Sequence, residues 1–533
     1  MQHAFNTVYL DSPPCLLSSV CHCANILAIF PTASFSHQMP LLSVPRLLAQ
    51  RGHNVTVVTT NPLRKPMPNY TEIDISFTYN YWKMEKSDTN KNPQLINLEG
   101  KLTPLQMLHQ INEGVAKISD LQLASPQIQN FIKYIDEKQP QFDLILYEDL
   151  LHPAFLGFVH KLGHPPLVSM VSLPLFCGMD FSSSNICHPS YMGELFLGTT
   201  NKMSFLERFQ NYLFYFYTKF IYVPAVFKRN DALVVKHFGA NYPSVEKIIQ
   251  NRSLLLVSSS WIFEYPRPLF PNTILVGPLH IEGTTKSLPK DLQNWIDGSS
   301  KGFIYFSLGS NVKSAALETS KRFAILEAFA RFPEFRFIWK WEEEEMKGLP
   351  SNVICKTWLP QHDLLAHPNI KLFITQGGLQ SLQEAVHYQV PMIAIPFFGD
   401  QPYNAGIIQR LAIGTVLQVD DISTDRLMGQ MRDILDNERY AENVKRVSKI
   451  NRNLQMLSPR ETAVWWVEYV LENGGNVSHL RADYYHLNLA QYLGLDVFAV
   501  LLMFAVILIY GTSCLIRRIR NWCNVGKLKS KTN

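Results

Sequence analysis

The sequence predicts an α/β protein of two doubly wound halves, followed by one C-terminal membrane span. Short apolar runs of strand length alternate with stretches of helical spacing along both halves of the chain. A proline-rich segment, residues 266–271, separates the two series, and an uncharged apolar stretch lies near the C-terminus.

The N-terminal half opens with a strand, a helix and a second strand. Residues 24–30 (ANILAIF) and 54–60 (NVTVVTT) have the composition of buried strands, and residues 39–52 between them have helical spacing. This order is typical of a parallel βαβ unit. Because a proline inside a helix costs about 3 kcal/mol, we expect the helix to kink or to begin near Pro45. Later strands of the same sheet are predicted at residues 142–147 and 167–172.

The second half repeats the pattern after the proline-rich segment. Its predicted strands are residues 273–276, 303–308, 335–339, 371–375 and 392–395. Open α/β sheets bind ligands beyond the carboxyl ends of their strands, so two such halves predict a cleft between them. The two domains are therefore expected to cover residues 24–270 and 271–480.

Residues 205–222, late in the N-terminal half, carry aromatic side chains around the whole circumference of a predicted helix. Such a helix is buried on every side, forms a wall of an apolar substrate pocket, or lies on a membrane surface. The sequence leaves these three interpretations open.

The composition excludes several classes of protein. The chain has 533 residues, a formal charge of +5, 47% hydrophobic residues and only 17% charged residues. Disorder, a coiled coil and a collagen-like chain are excluded, and the small excess of charge argues against a nucleic-acid partner.

Eight cysteines occur, but the body between the two termini holds only Cys177, Cys187 and Cys355. Three thiols do not make a disulfide framework, and none of the cysteines has zinc-ligand spacing. Cys177 and Cys187 either form a disulfide or remain buried thiols, and we expect the buried thiols.

The C-terminal stretch, residues 497–516, contains no charge and is followed by Arg517, Arg518 and Arg520. About twenty apolar residues suffice to cross a bilayer core of about 30 Å. The basic flank predicts that the tail, residues 517–533, is cytosolic, and hence that the body of the chain is lumenal. Lys529 and Lys531 resemble a dilysine retrieval signal, so we expect a single-pass type I protein of the endoplasmic reticulum membrane.

A lumenal body needs an N-terminal signal, yet residues 1–23 form an atypical one. They contain no Lys or Arg and carry Asp11 ahead of a short apolar run. Either these residues are an unusual signal peptide, or the start of the chain is misassigned. The glycosylation sequons, which fit a lumenal glycoprotein, are at Asn54, Asn69, Asn251 and Asn476.

The chemistry is concentrated in residues 358–401. The common dinucleotide, P-loop, α/β-hydrolase and zinc-protease motifs are absent from the sequence. Instead, the strand at 371–375 runs into Gly377 and Gly378 and then into a helix that begins near residues 379–381. Backbone amides at such a helix N-terminus form an anion site suited to a diphosphate.

The stretch from Trp358 to Gln401, WLPQHDLLAHPNIKLFITQGGLQSLQEAVHYQVPMIAIPFFGDQ, resembles the signature of the UDP-glycosyltransferase family. These membrane-bound enzymes conjugate small lipophilic molecules. The resemblance covers nearly the whole chain, including SHQ at 36–38 and FSLGS at 306–310. It implies a hexosyltransferase of GT-B type, in which two Rossmann-like domains face each other across a cleft. The N-terminal domain would bind the acceptor and the C-terminal domain the UDP-sugar.

The resemblance also assigns the residues that would bind the UDP-sugar. They are Ser307, Gly309, Ser310, Trp358, Gln361, Gln376, Gly377, Gly378, Gln380, Ser381, Glu384, Asp400 and Gln401. Trp358 and Gln361 would line the uridine site, and Glu384 would accept hydrogen bonds from ribose hydroxyls. Asp400, with a helix N-cap as its alternative role, and Gln401 would contact the sugar.

Gln376 departs from the family pattern, which usually has His before the glycine pair. Glutamine donates a neutral hydrogen bond to phosphate but carries no proton charge. The sequence has no strict D-x-D motif, so no metal or other cofactor is expected. The helix dipole and hydrogen bonds would stabilise the departing UDP instead.

For catalysis, the acceptor must lose a proton to a base, and His37 in PTASFSHQ matches the family's catalytic His. The expected reaction is a direct displacement with inversion. A carboxylate behind the imidazole would fix its tautomer, and Glu148 and Asp149, which follow the strand at 142–147, are alternative partners. We expect the Glu148 or Asp149 side chain to contact His37.

Glucose is the expected sugar, because the segments SFSHQ, TQGGLQS and FFGDQ resemble the corresponding segments of invertebrate members of the family, which most often use UDP-glucose. Vertebrate members often use UDP-glucuronate. One rival interpretation is a membrane-anchored binding protein that holds a sugar nucleotide or a lipophile without turnover. Another is a transferase whose acceptor is a membrane lipid. The sequence determines neither the acceptor nor the oligomeric state.

Overall fold

In a computed structural model the described residues are 23–81, 103–179, 185–281, 283–343, 346, 348–482 and 487–529. Residues 1–22 of the expected signal peptide and the last tail residues, including Lys531, therefore lie outside the described residues. The described residues form two compact units, a larger unit that ends at residue 480 and a tail unit that begins at residue 481. Two parallel β-sheets with flanking helices make up the larger unit.

The first sheet has the strand order β3-β2-β1-β4-β5-β6-β7, and its neighbouring strands pair in parallel. Its strands are β1 (Asn25–Phe30), β2 (Asn54–Thr59), β3 (Tyr70–Asp74), β4 (Leu144–Glu148), β5 (Leu167–Val171), β6 (Leu254–Val257) and β7 (Thr273–Leu275). The central strands are buried on both faces, which explains why they are continuous apolar runs in the sequence.

The second sheet has the order β10-β9-β8-β11-β12-β13 and is also parallel. Its strands are β8 (Phe303–Ser307), β9 (Arg336–Lys340), β10 (Val353–Lys356), β11 (Ile370–Thr375), β12 (Met392–Ala394) and β13 (Gly414–Val416). The two sheets confirm the predicted pair of doubly wound α/β halves.

Helices cover the faces of both sheets, and the helices from Leu489 onward lie in the tail unit. They are α1 (Phe35–Gln50), α2 (Pro104–Leu123), α3 (Pro126–Lys138), α4 (Gly157–Lys161), α5 (Phe205–Tyr217), α6 (Val223–Phe238), α7 (Val245–Gln250), α8 (Lys290–Asp297), α9 (Thr319–Ala330), α10 (Gln361–Leu365), α11 (Leu379–His387), α12 (Gln401–Arg410), α13 (Thr424–Leu435), α14 (Glu438–Asn453), α15 (Pro459–Glu472), α16 (Leu489–Tyr492) and α17 (Leu495–Lys529). A π-helical turn, Thr218–Tyr222, joins α5 to α6.

Helix α1 contradicts one of the two alternatives expected for the first crossover, a helix that begins near Pro45. It begins at Phe35, well before Pro45, and contains both Pro40 and Pro45. The helix buries Leu41, Leu42 and Val44 completely against the first sheet. Burial of several aliphatic side chains at about 1.5–3 kcal/mol each outweighs the proline penalty.

The expected domain boundary at residues 270 and 271 is wrong for the sheet structure. Strand β7, residues Thr273–Leu275, pairs with β6 and so belongs to the first sheet. Helix α15 also packs into the core of the first sheet, through Ala463, Val464 and Val467. The order of elements along the sequence does not show which sheet β7 and α15 join, because their apolar residues are compatible with either sheet.

Cys177 and Cys187 form a disulfide, so the expectation that they remain separate thiols is wrong. The bond spans ten residues of sequence next to the apolar cavity described below. Disulfides persist in oxidising compartments such as the lumen of the endoplasmic reticulum.

The tail unit contains one helix that is long and apolar enough to cross a membrane, residues Leu495–Trp522. This range contains the span predicted at residues 497–516. The side chains of this helix are exposed, as expected of a helix that lipid would surround.

Candidate functional site

A cavity of about 410 Å³, lined by both polar and apolar side chains, lies between the two sheets of the larger unit. Residues near the start of α1 form one wall, and the loops at the carboxyl ends of β8 and β11 contribute to the other. Ser34 and Asn311 join the two walls by a side-chain hydrogen bond of 3.2 Å. We call this space the cleft cavity.

A second cavity of about 230 Å³ is lined mostly by the N-terminal half and is mostly apolar. Its wall includes Leu108, Leu150, Phe176, Phe214 and Phe227. Helix α5 and the π-helical turn after it contribute part of this wall, through Phe214, Thr218 and Tyr222. One of the three interpretations of the aromatic segment, a pocket wall, is thus confirmed, and burial on every side is wrong. We call this space the apolar cavity.

The two cavities meet at a small group of shared residues. His37, Leu173, Asn311, Asp400 and Gln401 line both cavities. His37 is in the first turn of α1, whose N-terminus points toward the cleft. A molecule in the apolar cavity and a molecule in the cleft cavity would therefore touch at His37.

The environment of His37 keeps its imidazole neutral. Burial lowers its pKa from 6.5 to about 4, because the charged form loses its hydration. Nδ1 lies 3.0 Å from the Ser172 hydroxyl, just beyond the end of β5. The Ser172 carbonyl in turn accepts a hydrogen bond of 2.8 Å from Gln380 Nε2 on α11. The second half of the chain thus holds the residue that orients His37.

The structure does not show the predicted contact between His37 and the carboxylate of Glu148 or Asp149. Glu148 is the last residue of β4, is buried, and accepts a hydrogen bond of 3.1 Å from the Thr32 backbone amide. Burial raises the pKa of Glu148 to about 7. Asp149 lines the apolar cavity but pairs with the buried guanidinium of Arg252. Successive residues at a strand end point in opposite directions, and neither reaches His37.

The residues predicted to bind the UDP-sugar line the cleft cavity, except Gly377. Gly377 has a φ of +81°, and its carbonyl accepts a hydrogen bond of 2.9 Å from Asn404 on α12. It turns the chain behind the cavity wall instead of contacting the cavity. Trp358 is 61% exposed, and its ring meets Phe35 edge-on across the cleft, with centroids 5.2 Å apart.

Gln376 and Gly309 fit together at the floor of the cleft. A Cβ added to Gly309 would lie 2.1 Å from Gln376 Nε2, and the φ of Gly309 is +78°. The side-chain amide of Gln376 therefore lies directly over the glycine backbone. This nitrogen makes no protein hydrogen bond among the described residues, and its side chain lines the cavity. It is placed to donate to a ligand there.

The N-terminus of α11 is the expected anion site. Its first amide, that of Leu379, donates to the Asp400 carboxylate at 3.3 Å. The next amides, of Gln380 and Ser381, belong to the first turn, where no earlier helical carbonyl is available. Asp400 precedes α12 but makes no side-chain cap to it. Asp400 thus occupies the N-cap position of its alternative role without a side-chain capping bond, and its carboxylate also accepts a hydrogen bond of 2.7 Å from the Asn404 side chain.

Glu384 is partly buried in the wall of the cleft cavity. Its carboxylate accepts a hydrogen bond of 2.8 Å from Gln361 Nε2 and lies 3.4 Å from His280 Nε2. Burial raises the pKa of Glu384 to about 7. Gln361 also donates to Ser381, so these side chains form one network.

The raised pKa of Glu384 predicts a pH-dependent stability. Below pH 4.5, the ordinary value, the carboxyl group is neutral in both the folded and the unfolded chain. As the pH rises through about 7, the folded chain must bury a charge and loses stability relative to the unfolded chain. Glu384→Gln is thus expected to raise the thermal unfolding temperature more at pH 8 than at pH 5. The difference corresponds to at most about 3 kcal/mol.

The matched control is Glu442→Gln, on the exposed surface of α14, measured at the same two pH values. An equal shift of the Glu384→Gln unfolding temperature at pH 5 and pH 8 would show that the carboxyl is not held in its neutral form.

Several residues of the cleft are not predicted by the sequence pattern. Lys340, the last residue of β9, donates a hydrogen bond of 2.7 Å to the Gly309 carbonyl and lines the cleft cavity. His280 and Phe35 also line it. The rule that ligands bind beyond the carboxyl ends of strands would have indicated Lys340. Nothing in the sequence indicates Ser172, whose role depends on tertiary contacts.

Comparison with known proteins gives consistent matches. The family model described as "UDP-glucoronosyl and UDP-glucosyl transferase" matches residues 25–529. UDP-glucosyltransferase 2 of Dactylopius coccus is 32% identical over 495 residues, which cover 92% of each chain. UDP-glucuronosyltransferase 2B15 of Homo sapiens is 30% identical over 525 residues, 96% of each chain.

Among solved structures, a UDP-glucose: anthocyanidin 3-O-glucosyltransferase in complex with UDP is similar in fold. It has a TM-score of 0.53 and 17% identity, and the match covers 84% of this chain and 99% of that one. The glycotransferase of kitacinnamycin matches with a TM-score of 0.55 and 18% identity, over 84% of this chain and 99% of that chain. These matches confirm the predicted GT-B architecture.

Proposed function

The chain belongs to the UDP-glucuronosyl and UDP-glucosyl transferase family, and from this premise we propose the reaction that its two cavities perform. The enzyme moves a hexose, glucose in the first instance, from a UDP-sugar in the cleft cavity to a hydroxyl of a small lipophilic acceptor in the apolar cavity. The observation that carries the proposal is the position of His37 on the walls of both cavities.

The proposed step is one direct displacement. The acceptor oxygen forms a bond to the anomeric carbon while the bond from that carbon to the diphosphate oxygen breaks. UDP leaves with the bonding electron pair, and His37 takes the acceptor proton. The acceptor hydroxyl becomes acidic only as its oxygen forms the bond to the anomeric carbon. A neutral imidazole of low pKa therefore suffices as the base when bond formation and proton transfer occur in one transition state.

The first turn of α11 and Gln376 would hold the charge that develops on UDP. Backbone amides at a helix N-terminus favour an anion, and here they face the cleft beside Gly309. The proposal includes no metal ion, so a chelator such as EDTA should leave turnover unchanged. A loss of turnover that Mg²⁺ restores would contradict this part of the proposal.

Ser172 replaces the expected carboxylate as the partner of His37 in this proposal. Ser172→Ala should lower kcat about three- to tenfold, the value of one lost hydrogen bond, without changing KM for the UDP-sugar. The isosteric comparison is Glu148→Gln, which should lower kcat less. A larger loss of kcat in Glu148→Gln than in Ser172→Ala would show that the Glu148 carboxylate, and not Ser172, orients His37.

Glucose is preferred to glucuronate on two grounds. Among the residues shared by the cavities Asp400 is acidic and none is cationic, since the imidazole of His37 is neutral, so a uronate carboxylate would meet Asp400 there without a cationic partner. A relative that is 32% identical is named a glucosyltransferase.

Acceptor-dependent release of UDP tests the proposal. Membranes that contain the full chain are supplied with UDP-glucose or UDP-glucuronate and a mixture of simple phenols, with and without EDTA. We expect turnover with UDP-glucose that exceeds turnover with UDP-glucuronate. UDP binding without any turnover over a broad set of acceptors would contradict the enzyme proposal and support a binding protein.

For localisation, we propose a single-pass type I protein of the endoplasmic reticulum with a lumenal catalytic body. The uncharged apolar stretch at residues 497–516 of the candidate span, the arginines that follow this stretch and the Cys177–Cys187 disulfide support this orientation. Protease added to sealed microsomes should remove only the tail. Digestion of the catalytic body in intact vesicles would contradict the proposed orientation.

A further inference from the structure

Glu194 is a buried acidic residue in the wall of the apolar cavity. It lines that cavity and not the cleft cavity, and it is only 2% exposed. It directly precedes a short 3₁₀ turn, Leu195–Leu197, and takes no part in the proposed displacement. A carboxylate beside a mostly apolar space restricts the molecules that bind there, because an apolar group placed against it removes its hydration without replacing the lost hydrogen bonds.

Buried polar contacts hold the backbone of Glu194 in place. Its amide donates both to the Thr199 hydroxyl, at 2.9 Å, and to the Asn211 side-chain oxygen, at 3.0 Å. Asn211, on α5, is 1% exposed, and its side-chain nitrogen donates to the carbonyls of Pro189 and Met192 at 2.8 and 2.9 Å. The loop that carries Glu194 is thus tied to a helix of the cavity wall, so Glu194 has a defined position in that wall.

The turn after Glu194 packs against the second half of the chain. Leu195 is fully buried and belongs to the core cluster of the second sheet. Gly198 lies against α12, since a Cβ added to it would be 2.7 Å from the Pro402 Cβ. Pro402 follows Gln401, which lines both cavities. The Glu194 turn is therefore packed beside the junction at which the two cavities meet.

The charged groups in the wall of the apolar cavity are acidic. Its acidic residues are Asp149, Glu194 and Asp400, and no lysine or arginine lines it among the described residues. Arg252 pairs with Asp149 and offsets that charge, and the imidazole of His37 is neutral. Asp400 lies at the junction with the cleft cavity. The wall as a whole therefore favours a ligand cation and disfavours a ligand anion.

We propose that Glu194 determines acceptor specificity by binding an ammonium group, so that the acceptors are phenols or alcohols that carry a protonated amine at the other end of an apolar body. This inference rests on the proposed function, which places the acceptor in the apolar cavity. The hydroxyl lies at His37 and the ammonium at Glu194. An ammonium donates charge-assisted hydrogen bonds to a carboxylate, whereas a carboxylate on the acceptor meets repulsion there.

A set of matched acceptors tests this assignment. The set consists of 4-alkylphenols of several chain lengths, each chain ending in an ammonium, a methyl or a carboxylate group. Release of UDP from UDP-glucose is measured with membranes that contain the full chain. At the best chain length, kcat/KM with the ammonium compound should exceed that with the methyl compound about tenfold. The value with the carboxylate compound should lie at least about tenfold below that with the methyl compound.

Glu194→Gln keeps the size of the side chain and removes its charge. It should lower the ratio of kcat/KM between the ammonium and methyl compounds about tenfold, whereas Glu194→Asp should retain part of the preference. Glu442→Gln, on the exposed surface of α14, is the matched control and should keep the wild-type ratio. Because each ratio is taken within one variant, a smaller yield of folded protein does not affect it.

Direct binding separates this inference from the proposed function. Calorimetric titration of the solubilised full chain with the same compounds, in the presence of UDP, gives dissociation constants that do not depend on turnover. Tighter binding of the ammonium compound without any turnover would contradict the enzyme proposal and support the role of Glu194. Equal binding and equal kcat/KM for the ammonium and methyl compounds, or a preference that Glu194→Gln leaves intact, would overturn that role.

Discussion

Replacing His37 by alanine should lower kcat by roughly 100-fold to 10,000-fold, the range that a positioned general base contributes. The physical reason is that His37 lines both cavities and is the one imidazole among the lining residues that the two cavities share. Binding of UDP-glucose should stay within about threefold of wild type, because most of the cleft wall comes from the second half. Release of UDP and titration calorimetry measure the two quantities.

The matched control is His479→Ala, since His479 lies outside both cavities and should leave kcat unchanged. A His37→Ala variant that keeps more than about a tenth of the wild-type kcat would remove His37 as the base. Parallel losses of UDP-glucose binding and of kcat would indicate a structural role instead.

Gly309→Ala is expected to weaken binding of the UDP-sugar at least about tenfold. The added Cβ would lie 2.1 Å from Gln376 Nε2, so the amide must leave the position from which it faces the cleft. A φ of +78° adds a backbone penalty of about 1–2 kcal/mol for any residue with a Cβ. KM for UDP-glucose and the dissociation constant of UDP measure the loss.

Gly348→Ala separates the backbone penalty from the collision. Gly348 has a nearly equal φ of +76°, and nothing lies within 4 Å of the position that its Cβ would take, so only the backbone penalty remains. In the double variant Gly309→Ala with Gln376→Ala the collision is gone and only the backbone penalty remains, so KM should exceed that of Gln376→Ala alone by no more than Gly309→Ala exceeds the wild type. A Gly309→Ala variant that binds UDP as tightly as Gly348→Ala would contradict the packing of Gln376 over Gly309.

The sequence predicts those strands that are buried on both faces and are therefore continuous apolar runs. Strands β1, β8 and β11 are buried on both faces and are recognisable as apolar runs. Strand β3, with the sequence YTEID, is only partly buried and carries no continuous apolar run, so the sequence pattern does not predict it. The sheet to which β7 belongs depends on its pairing with β6, which no local pattern encodes.

The predictable part of the site is the part that the signature covers. Trp358, Glu384 and Asp400 are assigned by resemblance, and the structure places them on the cleft wall. The partner of His37 is assigned by analogy with a catalytic carboxylate. That assignment is wrong because the β4 end directs Glu148 to Thr32, while Asp149 pairs with Arg252. Side-chain directions at a strand end depend on a register that the sequence leaves open by one residue.

The anomeric configuration of the product tests the mechanism most directly. If an acceptor in the apolar cavity attacks the sugar from the side of His37 while UDP leaves on the other side, the α-linked glucose of UDP-glucose becomes a β-glucoside. Proton NMR of the isolated product distinguishes the two anomers. A β-glucoside is the predicted result, and an α-glucoside would contradict direct displacement with His37 as the base.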